Sequence, residues 1–381
     1  MCHFQGKCLR ERGNMEIING IYASAKIFSE TAEEYALAQI QMICDNEVSK
    51  GSTIRVMPDV HPGKVGTIGL TMTAGERILP SLVGIDIGCG ITLTKLKQKK
   101  VEFQKLDTVI RENVPVGGCI RKNMHRYSQK FDFSRLRCFR SINEEKASLS
   151  LGTLGSGNHF VELDKDAEDN LYVAIHTGSR HLGKEVTEYY LRCGQTVLKE
   201  QGIQVPYELT YLTGQLKEDY LHDLQIVQDY AKLNRTVILE EIARKMKWKV
   251  LENVSICHNY IDESGVLRKG AISAKKGEQV IIPINMRDGI LLGTGKGNPE
   301  WNYSAPHGSG RILRRDNVKD SFTVSNFKSE MKGIYCSCIG KGTLDEAPFA
   351  YRRLEEIADA IEETVEITGI IKPVYNYKAS K

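Results

Sequence analysis

Leu82-Val83-Gly84-Ile85-Asp86-Ile87-Gly88-Cys89-Gly90-Ile91 carries an apolar, strand-like run into a turn holding glycines, one acid and one thiol. Asp86 and Cys89 stand three apart, so a carboxylate and a thiolate can face one point. Oxygen and sulfur donors together suit a borderline divalent ion. A lone Asp-x-x-Cys is common, and a single cysteine is usually a small buried apolar side chain. The turn acquires meaning only through partners elsewhere in the chain.

Moving outward, further segments offer such partners. Met57-Pro58-Asp59-Val60-His61-Pro62-Gly63 supplies another acid and a histidine on an expected turn. Leu154-Gly155-Ser156-Gly157-Asn158-His159-Phe160-Val161-Glu162 places Asn158, His159 and Glu162 at the mouth of a strand. In Ile175-His176-Thr177-Gly178-Ser179-Arg180-His181 a strand ends at His176 and a small-residue turn leads to a helix. Its amides could face phosphate, with Arg180 as a bidentate donor. Ile256-Cys257-His258-Asn259 ends another strand on a histidine. Any one histidine is more often structural than a ligand. Together, His159, His176, His258, Asp86 and Cys89 can converge on one metal ion or a close pair. Because these donors lie far apart in sequence, the fold itself must assemble the site. In Ala305-Pro306-His307-Gly308-Ser309-Gly310-Arg311 an imidazole sits on tightly turned backbone, where it could attack phosphorus. Leu292–Asn298 is rich in glycine but lacks the GxxxxGK[ST] pattern of a P-loop.

Helical periodicity is expected over 31–48, 184–201, 218–247 and 346–367. Short strands are expected at 53–57, 65–73, 82–96, 159–163, 171–176, 254–261, 279–284 and 334–339. Their order is no regular βαβ repeat. It predicts an α+β fold: a single large mixed-sheet domain over 15–381 with a deep metal and nucleotide cleft. Residues 1–14 do not match the rest and read as a disordered extension. A chain of 381 residues with 26% charged and 41% hydrophobic side chains can bury a large core. Its ten cysteines contain no Cys-x-x-Cys, residues 1–14 are polar rather than leader-like, and no run of eighteen apolar residues occurs. A reduced, cytoplasmic protein without a membrane span is the expectation. The net charge of +4 is weak evidence for a polyanionic partner, but 121–140 holds seven basic residues against Asp132 alone.

In this order, MPDVHPG (57–63), GIDIGCG (84–90), GSGNHFVE (155–162), HTGSRHLG (176–183), HNY (258–260), RKGAISA (268–274), SAPHGSGR (304–311), LDEAPFAYR (344–352) and KPVYNYK (372–378) resemble the motifs of the RtcB family of RNA ligases. The resemblance spans about 15 to 378. It implies two Mn2+ ions held by Asp86, Cys89, His159, His176 and His258, with Cys89 shared. It implies GTP as cosubstrate and His307 as the residue that takes GMP. Asn158, Glu162, Asn259, Ser304, Gly308, Gly310 and Lys378, together with His307, fall where the family holds the nucleotide. Glu162 would accept from the guanine edge and Lys378 would anchor the base.

The implied reaction is that of a 3′-phosphate/5′-hydroxyl nucleic acid ligase in tRNA splicing or RNA repair. It joins RNA 3′-phosphate (or 2′,3′-cyclic phosphate) ends to 5′-hydroxyl ends through histidine–GMP and RNA-ppG intermediates. The chain is compact and of bacterial type, which speaks against dependence on the activating protein archease. His181 departs from the glycine usual at that place. The RNA would meet 121–140, Lys275, Lys276, Arg314 or Arg315. The alternatives are a metal-dependent RNA-end phosphoesterase without covalent guanylylation and a non-catalytic RNA-binding protein.

Overall fold

The computed structural model describes residues 16–378, apart from the side chain of Asp316; the expectation for 1–14 falls outside them. In chain order the strands are β1 (Glu16–Asn19), β2 (Ser24–Ile27), β3 (Ile54–His61), β4 (Ile68–Thr73), β5 (Gly90–Leu96), β6 (Phe160–Lys165), β7 (Leu171–Thr177), β8 (Val250–Cys257), β9 (Asn259–Ile261), β10 (Val266–Lys269), β11 (Ala271–Ser273), β12 (Gln279–Asn285), β13 (Gly289–Gly295), β14 (Ser304–Pro306) and β15 (Val365–Lys378). The helices are α1 (Glu34–Cys44), α2 (Pro80–Val83), α3 (Phe103–Asn113), α4 (Glu144–Ser150), α5 (Arg180–Glu200), α6 (Gly214–Met246), α7 (Arg315–Ser321), α8 (Val324–Glu330) and α9 (Leu354–Ala360).

Two large sheets carry the architecture, which is mixed α+β as expected. One runs β1-β2-β3-β4-β10-β9 and the other β12-β13-β15-β6-β7-β5-β8, with β11 and β14 paired separately. Only β2 and β3 run parallel among the described strands. On α6, Tyr220, Leu224, Val227, Ala231, Ile238 and Ile242 recur at helical spacing, and all are buried. This stripe packs α6 against α5, β5 and β7. Burying each large aliphatic side chain contributes about 1.5–3 kcal/mol, which lets the helix run 33 residues.

Several sequence expectations are corrected. Residues 346–367 are not one helix: only Leu354–Ala360 is α-helical, and Val365 already begins β15. The alternation Val365, Ile367, Gly369, Ile371 fits a pleated surface, and pairing with β13 on one side and β6 on the other overrides helical propensity. Residues 82–96 are not one strand, because Pro80–Val83 is helical and the strand starts at Gly90. MPDVHPG lies largely within β3 instead of on a turn. The glycine-rich Leu292–Gly295 is also strand, within β13. At 334–339 the single bridge Tyr335–Tyr375 replaces a strand.

The turn between α2 and β5 is pinned from behind by Arg235 of α6, which is fully buried. Its Nη1 donates to the carbonyls of Gly88 and Thr177, both at 2.9 Å. Its Nε reaches Thr92 Oγ1 at 3.2 Å and its Nη2 reaches Ser255 Oγ at 3.1 Å. Gly88 has φ +69°, and a Cβ there would lie 2.9 Å from Ala231 on α6, so glycine alone lets the turn approach so closely. Arg235→Leu should lower stability by about 3 kcal/mol, since two dry carbonyls lose their donors. Urea titration reads this as a lower midpoint at unchanged slope. A change under about 0.5 kcal/mol would mean that something else holds the turn.

Candidate functional site

Asp86 and Cys89 leave the turn towards three histidines. His159 immediately precedes β6, His176 is the penultimate residue of β7, and His258 separates β8 from β9. Cys89 Sγ lies 3.3 Å from His176 Nε2 and 3.5 Å from His159 Nε2. His159 Nε2 is 3.1 Å from Asp86 Oδ2, and the Nε2 atoms of His176 and His258 are 2.9 Å apart. Two donor groups result, Asp86–Cys89–His159 and Cys89–His176–His258, each with its ligand atoms within 4.8 Å of one another. Cys89 belongs to both. Gly178 closes one side, where any Cβ would collide with the Asp86 carboxylate.

The far side of each ring explains why these atoms face inward. His159 Nδ1 meets the carbonyl of Leu154 at 2.8 Å and His176 Nδ1 that of Asn158 at 3.2 Å, while His258 Nδ1 meets Asn259 Oδ1 at 3.3 Å. These acceptors place the ring protons on Nδ1 and turn three Nε2 lone pairs onto one spot. Burial holds His176 and His258 well below the usual histidine range, so both rings are neutral at pH 7. The Nε2 lone pairs of His176 and His258, 2.9 Å apart with no proton between them, fit a divalent cation. Burial, then the neighbouring Asp86 carboxylate, pushes the Cys89 thiol well up. A cation here would displace that proton and take the thiolate.

His307 follows β14. Asp59 of β3, fully buried, accepts from both the His307 backbone N–H (3.2 Å) and its Nδ1–H (2.6 Å). The ring centroid is 4.6 Å from that of His258. Asp59 carries a hydrogen-bonding role beyond the bare acid on a turn that its motif suggests. His61, bonded through Nδ1–H to the Asp59 carbonyl at 2.8 Å, is lowered by burial to about 4 and stays neutral.

Beyond His307 opens a pocket of about 760 Å³ including its mouth. Asn158, Glu162, His307, Gly308, Gly310 and Lys378 line it. Ser304 and Asn259 are placed otherwise. The Ser304 hydroxyl is fully buried, accepting from Arg268 Nε at 2.9 Å and donating to the Asn302 carbonyl at 2.8 Å. Asn259 Oδ1 accepts the Gly270 N–H at 2.9 Å. The pocket also holds Arg311, Arg315, Tyr351 and Asn376, which sequence reasoning did not single out as nucleotide contacts. Lys378 Nζ meets the buried Glu346 at 2.5 Å, and Glu346 also receives Arg315 at 2.7 Å and Tyr351 Oη at 2.6 Å. Burial opposes charge on Glu346, yet Lys378, Arg315 and Arg311 together hold it at about 2. Asn376 Nδ2 donates to Glu162, whereas its Oδ1 is buried with no partner among the described residues.

Other residues named for phosphate or RNA also make contacts within the protein. Arg180 donates to the Gly117 carbonyl at 3.0 Å and packs over Gly155. His181 pairs with Glu185 at 2.8 Å. Within the basic stretch, Arg121 serves the carbonyls of Leu151 and Gly152, and Arg126 pairs with Glu240. Lys275 meets Asp262 at 3.4 Å and Arg314 meets Glu33 at 3.5 Å.

A family model described as "tRNA-splicing ligase RtcB" matches residues 43–379. The chain belongs to the RtcB family. It is similar to the RNA-splicing ligase RtcB of Escherichia coli (strain K12), 29% identical over 363 residues that cover 84% of this chain and 88% of that protein. The tRNA-splicing ligase RtcB of Nanoarchaeum equitans is 26% identical, covering 97% of this chain and 95% of its own. That of Pyrobaculum aerophilum is 26% identical, covering 90% of each.

Two outcomes follow from the site. Adding Mn2+ at pH 7 should release about one proton, from the Cys89 thiol. Calorimetry in buffers of differing ionisation enthalpy measures it, and equal release from Cys89→Ala would rule out that source. Burial raises Glu162 from 4.5 to about 7 despite Asp164, Lys378 and Asn376. The folded chain thus keeps a proton that the unfolded chain loses above 4.5. This stabilisation is complete below that pH and is lost as pH climbs towards 7. Glu162→Gln should flatten the fall in denaturation midpoint over that window. An unchanged slope would exclude Glu162 as its origin.

Proposed function

We propose that this chain is a GTP- and manganese-dependent cytoplasmic RNA ligase. It joins RNA 3′-phosphate ends, or 2′,3′-cyclic phosphates once hydrolysed, to 5′-hydroxyl ends. Family membership makes it an RNA ligase; the nucleotide, the metal and the end chemistry are the proposal, as is independence from archease. The observation that carries it is the pair of bonds from His307 to Asp59. With Nδ1–H and the backbone N–H both given to one buried carboxylate, the Nε2 lone pair is fixed in orientation and free to attack.

His307 Nε2 attacks the α-phosphorus of GTP; a P–N bond forms and the bond to pyrophosphate breaks. Asp59 stabilises the positive charge growing on the ring, as an orienting carboxylate does for other catalytic histidines. Mn2+, held by Asp86, Cys89, His159, His176 and His258, would neutralise charge on the phosphate oxygens. The RNA 3′-phosphate then takes GMP from the histidine, giving RNA-ppG. The 5′-hydroxyl attacks the activated 3′-phosphorus and GMP departs. Activation is required because a phosphate monoester has no good leaving group. Arg311, Arg315 and Lys378 suit the anionic nucleotide. The unpartnered Asn376 Oδ1 and the Glu162 carboxyl suit the N–H edge of a base.

The test is incubation with α-labelled GTP and Mn2+, followed by denaturation. Acid-labile label should appear on the polypeptide and vanish in His307→Ala. Asp59→Asn should slow labelling by roughly 10²-fold, because the ring loses its charged acceptor. Label persisting in His307→Ala would refute the nucleophile. RNA-end hydrolysis without label in the wild type would favour the phosphoesterase. A 5′-phosphate on the acceptor RNA should block joining.

A further inference from the structure

Cys336 and Cys338 flank Ser337 on the segment that follows α8. Their Sγ atoms are in contact at 3.2 Å, and both residues are half-buried while Ser337 between them is exposed. Two thiols at that separation need about one ångström of approach to bond.

What surrounds them gives the pair a consequence. The backbone N–H of Lys378 donates to Cys338 Sγ at 3.2 Å. Five residues beyond Cys338 comes Thr343, whose hydroxyl donates to the Cys338 carbonyl at 2.5 Å and whose carbonyl receives the Glu346 N–H at 3.0 Å. Glu346 in turn grips the Lys378 ammonium. The segment 336–346 therefore holds Lys378 at both ends, by its amide through Cys338 and by its side chain through Glu346. Upstream, the Asn376 amide donates to the Tyr335 carbonyl at 2.9 Å, and Ser337 is tied to Asp107. Lys378 and Asn376 both line the pocket.

We propose that Cys336 and Cys338 are a reversible oxidation site, and that their disulfide loosens Lys378 and weakens nucleotide binding. The second half rests on the functional reading above. The co-reactant is a hydroperoxide. Cys338 Sγ attacks the peroxide, its S–O bond forms as the O–O bond breaks, and the released alkoxide or hydroxide takes a proton. Cys336 then attacks the sulfenic sulfur; the S–S bond forms, the S–O bond breaks, and water leaves with the Cys336 proton. Two thiols and one hydroperoxide give one disulfide, one alcohol (or water) and one water. A dithiol reverses the step. Cys338 is the attacking sulfur because its partner thiol, and then the Lys378 amide and charge, favour its thiolate, while Cys336 is pushed the other way. In the disulfide, Cys338 Sγ is a weaker acceptor for the Lys378 N–H and is drawn towards Cys336.

The test uses the full Mn2+-loaded chain treated with hydrogen peroxide, with and without later dithiothreitol. Trypsin releases Gly333–Lys341, which contains both cysteines and no others. This peptide should lose two hydrogens on oxidation and regain them on reduction. GTP binding should weaken about tenfold in the oxidised form, as loss of one charge-assisted hydrogen bond would produce, and recover with dithiothreitol. Cys336→Ser should bind GTP as the parent does and resist the peroxide. An unshifted peptide overturns the site. A shifted peptide with unchanged GTP binding overturns its coupling to the pocket. Equal sensitivity of Cys336→Ser places the effect on another cysteine, such as Cys89. Failure of the reduced parent to bind GTP would instead overturn the functional reading, leaving the peptide shift to decide the oxidation site alone.

Discussion

The arrangement of this protein depends on one buried cation. Arg235 reaches from the middle of α6 to three separate pieces of chain: the turn at Gly88, the end of β7 at Thr177 and β8 at Ser255. Those pieces carry Cys89, His176 and His258. A guanidinium can serve them together because it presents five donors in a rigid plane, which no other side chain offers. Its charge is satisfied by carbonyl and hydroxyl dipoles, so it stands behind the converging donors as a fixed scaffold while its neutral partners add no competing negative charge.

The metal-type site was legible because chemistry-bearing residues stand out beside glycine. Asp86, Cys89, His159, His176 and His258 could be named from their place at the ends of apolar runs, and the fold brings all five together. Asp59 was visible only as an acid within a motif. Its significance depends on β3 and the segment after β14 meeting across 248 residues of sequence, a separation that no local pattern encodes. Arg235 was invisible for a similar reason: on a helix rich in Lys, Arg and Glu it reads as one more surface charge, and only the packed structure shows it dry.

Secondary structure failed where propensity and tertiary pairing conflict. The run after Asp345 holds helix formers such as Leu354, Glu355, Glu356 and Ala358, so periodicity extends through it too far. Its continuation, Val365 to Lys378, is claimed by neighbouring strands on both sides, with register shifts at Leu292/Gly293 and at Pro373/Tyr375. The second shift coincides with a proline, which has no N–H to give the ladder. Ser304 and Asn259 mark a different boundary: their motifs are matched, and their side chains also bond within the fold.

The position of β15 has a consequence for how the protein is made. The seven-stranded sheet consists of β12-β13 on one side and β6-β7-β5-β8 on the other, and among the described strands only β15 is hydrogen-bonded to both. A ribosome delivers residues 365–378 after every other strand of that sheet has emerged. Until then the two halves present unpaired edges and the pocket lacks Asn376 and Lys378. Assembly of that pocket thus waits on β15, and a nascent chain that lacks it carries exposed strand edges of the kind that chaperones shield.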